Sequence, residues 1–255
     1  MENKLIPKVI RNTGWESLLL PLFSDTRWTS LRKSLVDNRT KIAPHPSHLF
    51  DAFSFFEPQD LKCVFVGLSP YCNVKNRKRV ATGIPFANNI KGYEGIKASP
   101  SLDIFVQAID EHDITLGYKQ DNPFDFTLES ICKQGVLFLN VYWTVEINNY
   151  DAKQHKDSWY WFTEMLLTIF NKEFNAIPYV FCGRDAQDFG MLINDSNNKV
   201  INVPHPAATS RKHKELGMMT KVPKKLNFIY QNPFKQVNDY LTLLNGEKNT
   251  IQWRM

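Results

Sequence analysis

The chain has 255 residues, 43% hydrophobic and 22% charged, which excludes disorder as its default state and is enough to bury one sizeable core. A net charge of +5 and a pI near 8.9 are only mildly basic, so the distribution of charge carries more information than its total. Four dispersed cysteines without a CxxC pair suggest neither a disulfide framework nor a zinc site, and no cofactor or metal is expected.

From the N-terminus there is no signal-peptide pattern, and no run of about 18 apolar residues occurs anywhere. The expectation is therefore an intracellular protein without a membrane partner, cytoplasmic and nucleoid-associated, or nuclear in a eukaryote. No repeat or linker composition divides the chain, so residues 1–255 read as one domain. Helical spacing runs from Trp15 to Val36, with Pro21 as the expected break.

Four short apolar runs follow: Cys63 to Gly67, Val136 to Asn140, Tyr179 to Gly183 and Val200 to Pro204. Their lack of alternation suits strands buried on both faces. Helical patterns separate them, including Ser101 to Glu111 and Ser158 to Phe170. Such alternation predicts an α/β fold with a central, mostly parallel four-stranded sheet flanked by helices, whose ligand site forms beyond the carboxyl ends of the strands.

The strand exits carry Leu68-Ser69-Pro70-Tyr71-Cys72, then Asn140, then Arg184, then His205-Pro206-Ala207-Ala208-Thr209-Ser210. Taken singly each is weak, since a histidine after a strand is readily structural and an asparagine there readily forms a turn. Two basic clusters stand near the first and last exits. One holds Lys75, Arg77, Lys78 and Arg79; the other begins with Arg211, Lys212 and Lys214 and continues through Lys221, Lys224 and Lys225. Charge alone makes them solvated loops or a phosphate-binding surface with equal ease.

In order and context these segments resemble family 1 uracil-DNA glycosylases, from the Trp15 helix through HLFDAFSFFEPQDLKCVFVG, SPSLDIF, KQGVLFLN and HPAATS to NPFKQVNDYL. The resemblance implies that GLSPYC is the water-activating loop, placing Ser69 at the catalytic position and Leu68 and Tyr71 beside the base. It further implies that Phe86 of GIPF stacks on an extruded base, that Asn140 reads its edge, and that His205 contacts its O2. A base inside a duplex is inaccessible to attack at the glycosidic carbon, so an enzyme of this kind must flip its target. Water is the expected nucleophile, because no lysine lies in the exit motifs.

Departures from the family pattern matter as much. Ser69 stands where the family has an aspartate, and a hydroxyl orients water without supplying countercharge. Cys72 replaces a histidine, and the segment between PYC and GIPF is longer, which could carry Tyr71 away from C5 of the base. Among the phosphate-gripping positions Ser101 is kept, Arg184 and Ala207 replace serines, and Thr209 replaces the wedge leucine, with Ser210 beside it. The segment from 211 to 233 is also longer and contains Leu216, Met218 and Met219 as candidate wedges. The expectation is a monomeric DNA N-glycosylase that removes uracil or a modified pyrimidine, such as a modified cytosine of phage DNA; the alternative is a weak or inactive DNA-binding accessory on the same fold.

Overall fold

The computed structural model describes residues 6–88, 99–116, 124–246 and 249–254. Eight strands occur in it: β1 (Ile42–Ala43), β2 (Cys63–Gly67), β3 (Val74–Lys75), β4 (Lys78–Arg79), β5 (Val136–Asn140), β6 (Val145–Glu146), β7 (Pro178–Cys182) and β8 (Lys199–Val203). The helices are α1 (Gly14–Ser24), α2 (Thr26–Asp37), α3 (Pro100–Leu116), α4 (Glu129–Cys132), α5 (Lys156–Glu173), α6 (Arg184–Gln187), α7 (Pro206–Leu216), α8 (Phe228–Gln231) and α9 (Pro233–Asn245).

The central sheet has the order β5-β2-β7-β8, and every pairing in it is parallel. This is the predicted sheet, shifted by one residue in two strands. Gly183 lies outside β7 because its φ of +92° leaves the extended region, and Pro204 lies outside β8 because it has no N–H to donate. The expectation of burial on both faces fails for β8 alone: of the two edge strands β5 is fully buried, whereas Lys199 and Asn202 of β8 are exposed.

Pro21 does not break the first helix. It lies exposed inside α1, so one ladder bond is lost on the solvent side without a clash against the core. The chain turns instead at Asp25, whose carboxylate accepts from the Arg27 backbone N–H at 2.8 Å and caps α2.

Aromatic residues fill both faces of the sheet. On one, Phe65 and Phe138 pack against Phe105 of α3, and Phe234 of α9 packs on Phe65 with ring centroids 5.6 Å apart. On the other, Phe50, Trp143 and Phe162 form a cluster that reaches Trp28 and Phe23 of the first two helices. Both layers are thus covered, and only the strand ends remain available for a ligand. No helix among the described residues is long and apolar enough to cross a membrane.

The longer segment after Tyr71 forms a hairpin of β3 and β4. Its two-residue turn is Asn76-Arg77, at φ +48° and +63°, the mirror-image geometry that matches strand twist. Lys75, Arg77 and Lys78 are exposed on it, whereas Arg79 faces inward, donating from Nε to the Ile42 carbonyl (2.8 Å) and from Nη2 to the Arg39 carbonyl (2.6 Å). Arg79 therefore anchors the hairpin, whereas Lys75, Arg77 and Lys78 stand exposed on it.

Candidate active site

At the carboxyl edge, Gly67 and Asn140 are register partners on β2 and β5. A Cβ on Gly67 would stand 2.8 Å from both Asn140 Oδ1 and Phe86 Cζ. The absence of a side chain is what lets the amide and the ring converge. Asn140 is 7% exposed, and its amide makes no hydrogen bond among the described residues, so both its donor and its acceptor are free for a ligand.

Phe86 sits at φ +68°, a left-handed conformation unusual for a bulky side chain and characteristic of functional positions. Its ring stacks on Phe105 (5.3 Å, 25°), and His205 lies 6.2 Å away at 31°. His205 is the N-cap of α7: its Nδ1 accepts from the Ala207 N–H at 3.2 Å. That bond leaves the proton on Nε2, the nitrogen free to donate. Burial, with a smaller contribution from the charge of Arg211, lowers its pKa to about 4, so the imidazole is neutral at physiological pH. Gly183 makes room behind it, since a Cβ there would lie 2.9 Å from His205 Cβ.

Ser69, Tyr71, Phe86, Ser101, Asn140 and His205 all line one cavity, which joins five of the segments singled out in the sequence. Ser69 is half-buried and makes no hydrogen bond among the described residues, leaving its hydroxyl available to a water. Ser101 is buried in the first turn of α3. The same cavity is also lined by the apolar residues Pro44, Leu49, Ala81 and Trp143.

Four sequence expectations need correction. Leu68 does not line the cavity; its side chain packs against the core while its carbonyl accepts from the Tyr142 N–H at 2.9 Å. Tyr71 has not been carried away by the longer loop: its hydroxyl donates to the Phe86 carbonyl at 3.1 Å and accepts from Ser99 Oγ at 2.6 Å, with burial raising its pKa to about 12. Thr209 cannot touch DNA as a wedge, because it is fully buried, donating to the Leu226 carbonyl and accepting from the Phe228 N–H, both at 2.8 Å. Arg79, as described, is committed to backbone carbonyls.

Arg184 and the α7 cations Arg211 and Lys214 are exposed, Ser210 is half-buried, and Lys212 pairs with Glu215 at 2.5 Å. None of these lines the cavity. Leu216 and Met218 are exposed at the end of α7, while Met219 packs on the core. Cys72 is buried against Ala43 and Val145, and its thiol pKa is raised by that burial.

Sequence reasoning missed Gly67, Gly183 and Ser99. The glycines read there only as strand boundaries, because close approach depends on residues distant in sequence. Ser99 had a local signal: a serine directly before Pro100 is a helix N-cap pattern, and its Oγ accepts from the Leu102 N–H at 3.3 Å.

A family model described as "Uracil DNA glycosylase superfamily" matches residues 53–240. Among curated relatives, the uracil-DNA glycosylase of Clostridium perfringens strain SM101 is 30% identical over 248 residues, covering 96% of each chain. That of Enterococcus faecalis is 29% identical, covering 97% of this chain and 98% of the relative. Among solved structures, mimivirus uracil-DNA glycosylase superposes with a TM-score of 0.77 at 19% identity, covering 97% of this chain and 88% of that one, a likeness of fold.

Proposed function

The chain belongs to the uracil-DNA glycosylase superfamily, and from that premise we propose that it is a monofunctional DNA glycosylase that extrudes a pyrimidine nucleotide and hydrolyses its N-glycosidic bond. The observation that carries this reading is the convergence of Asn140, Phe86 and His205 on one cavity, made possible by Gly67.

Phe86 offers a π-face to the extruded base. The free Asn140 amide presents a donor and an acceptor to N3 and the C4 substituent. As the bond from C1′ to the base nitrogen breaks, its electron pair leaves with the base, and negative charge gathers on O2. The Nε2–H of neutral His205 donates to that oxygen, an interaction stronger in the transition state than in the ground state. Water adds to C1′ and passes its proton to solvent, with Ser69 orienting it. The Ser69 hydroxyl supplies no countercharge to the sugar cation, so turnover is expected to be slow relative to a carboxylate at this position.

Two substrate readings rest on different features. Tyr71, fixed by two hydrogen bonds, supports uracil, because an immobile ring resists a bulky C5 group. The further apolar lining of Pro44, Leu49, Ala81 and Trp143 favours a modified pyrimidine, whose substituent would pack against it. Exposed Lys75, Arg77, Lys78, Arg184, Arg211 and Lys214, together with Lys212, Ser101 and Ser210, are proposed to hold the DNA backbone. Formation of abasic sites on DNAs bearing uracil, thymine, 5-hydroxymethylcytosine or its glucosylated form tests both readings. Tight DNA binding with no base released from any of them would instead support a non-catalytic accessory.

A further inference from the structure

Behind one wall of the base cavity lies a second cavity of about 310 Å³ that shares Leu49 with it. Its rim carries Lys8, Arg11, Arg32, Arg39 and His45, and no Asp or Glu is among the described residues that line it. The floor is apolar, with Trp28 only 3% exposed. Arg11 donates to the Ile6 carbonyl at 2.9 Å and Arg39 to the Val36 carbonyl at 3.1 Å; these bonds orient the guanidinium groups without neutralising them. The side chains of Lys8 and Arg32 have no hydrogen-bond or ion-pair partner among the described residues.

Four full positive charges around one concavity with a low-dielectric floor repel each other and focus a field that attracts an anion. The position of the cavity says which anion. Pro44 lines the base cavity and its neighbour His45 lines the second one, so a single short segment separates them. Arg79 ties the basic β3–β4 hairpin to the Arg39 carbonyl on the same rim. The groove is therefore joined to the base cavity through the Pro44-His45 segment and to the hairpin through Arg79.

We propose that the groove binds a phosphodiester of the DNA strand flanking the extruded nucleotide. It extends the footprint along the backbone, the cations meeting the phosphate over a mostly apolar lining. The proposal rests on the glycosylase reading only for its choice of DNA as partner.

The test is the salt dependence of binding to undamaged duplex DNA by the Lys8→Gln/Arg32→Gln protein. Each lost phosphate contact should reduce the slope of log affinity against log salt by about 0.9, through counterion release. The control is Lys133→Gln/Lys172→Gln, which removes the same charge beside α4 and at the end of α5, at the amino edge of the sheet. A reduced slope in the first protein and an unchanged one in the control is the expected result. An unchanged slope in both, or an equal reduction in both, overturns the proposal. So does stabilisation of the wild type against thermal unfolding by inorganic phosphate alone, lost in the groove variant whose DNA slope is normal; that would mark a site for a free anion. Base release is not needed for the measurement, so a failure of the glycosylase reading and a failure of the groove are separately visible.

Discussion

Gly67 and Asn140 face each other across adjacent parallel strands, and the space a Cβ would take on Gly67 is occupied by the Asn140 amide oxygen at 2.8 Å. The same point is 2.8 Å from the Phe86 ring. One missing methyl group thus sets the relative placement of the amide proposed to read the base and the ring proposed to stack on it.

Gly67→Ala should consequently damage chemistry more than folding. Its methyl group meets two side-chain ends, which can shift by a few tenths of an ångström, and displacement of that order in a preorganised site costs on the order of 10²-fold in rate. Single-turnover base release set beside thermal unfolding checks this; equal losses in the two would place Gly67 in the core and outside the site.

Tyr71→Phe removes the hydroxyl that links the Phe86 carbonyl to Ser99. The expected cost is about 1–2 kcal/mol of stability, with Phe86 less firmly held at its positive φ. Ser99→Ala should reproduce part of the effect on stability. Were Ser99→Ala as active and as stable as wild type while Tyr71→Phe was impaired, the hydroxyl would act without Ser99.

His205 has a folded-state pKa depressed from 6.5 to about 4 by burial and by Arg211. In that window the unfolded chain binds more protons than the folded one, so stability is full above about 6.5 and falls as pH drops towards 4. The loss is at most about 3 kcal/mol at 1.4 kcal/mol per pH unit. Urea unfolding at pH 7 and pH 4.5 should show a smaller acid loss for His205→Asn than for wild type. Base release should in turn show no titration attributable to His205 between pH 8 and 5, because the donating Nε2–H belongs to the neutral ring.

Ser69 separates an active enzyme from an inert one. Ser69→Ala should slow release modestly, since water orientation alone is lost, whereas Ser69→Asp restores a countercharge and should raise the rate on uracil by as much as about 10²-fold. If neither wild type nor Ser69→Asp releases any base while both bind DNA, catalysis is not the role of this site.

Thr209→Val keeps the volume but strands the Leu226 carbonyl and the Phe228 N–H, both now bonded to the hydroxyl. A loss of about 1–3 kcal/mol is expected, along with faster hydrogen exchange at Phe228. An unchanged exchange rate there would show that the pin is dispensable.

The sequence by itself was enough for the sheet and for several residues that gather at its carboxyl edge. Continuous apolar runs such as Cys63–Gly67 and Val136–Asn140 are local signals for strands covered on both faces, and the polar residues directly after them had to lie at one edge of a parallel sheet. Asn140, His205 and Ser69 were legible for that reason, whereas Phe86 came from the family resemblance, which also supplied the roles proposed for all four. What the tertiary structure alone decided concerns contacts between distant segments. Thr209 reads as a replaced wedge until Leu226 and Phe228 are seen to bury it, and Leu68 reads as pocket lining until the core takes its side chain. Tyr71 stays at the cavity because Phe86 and Ser99 hold it, which no loop length could reveal. Strand order β5-β2-β7-β8, the room at Gly67 and the grouping of Lys8, Arg11, Arg32 and Arg39 around one groove are likewise products of packing. Period and turn chemistry act over a few residues and are written locally; close approach and charge convergence depend on how separated segments meet, which only the folded chain determines.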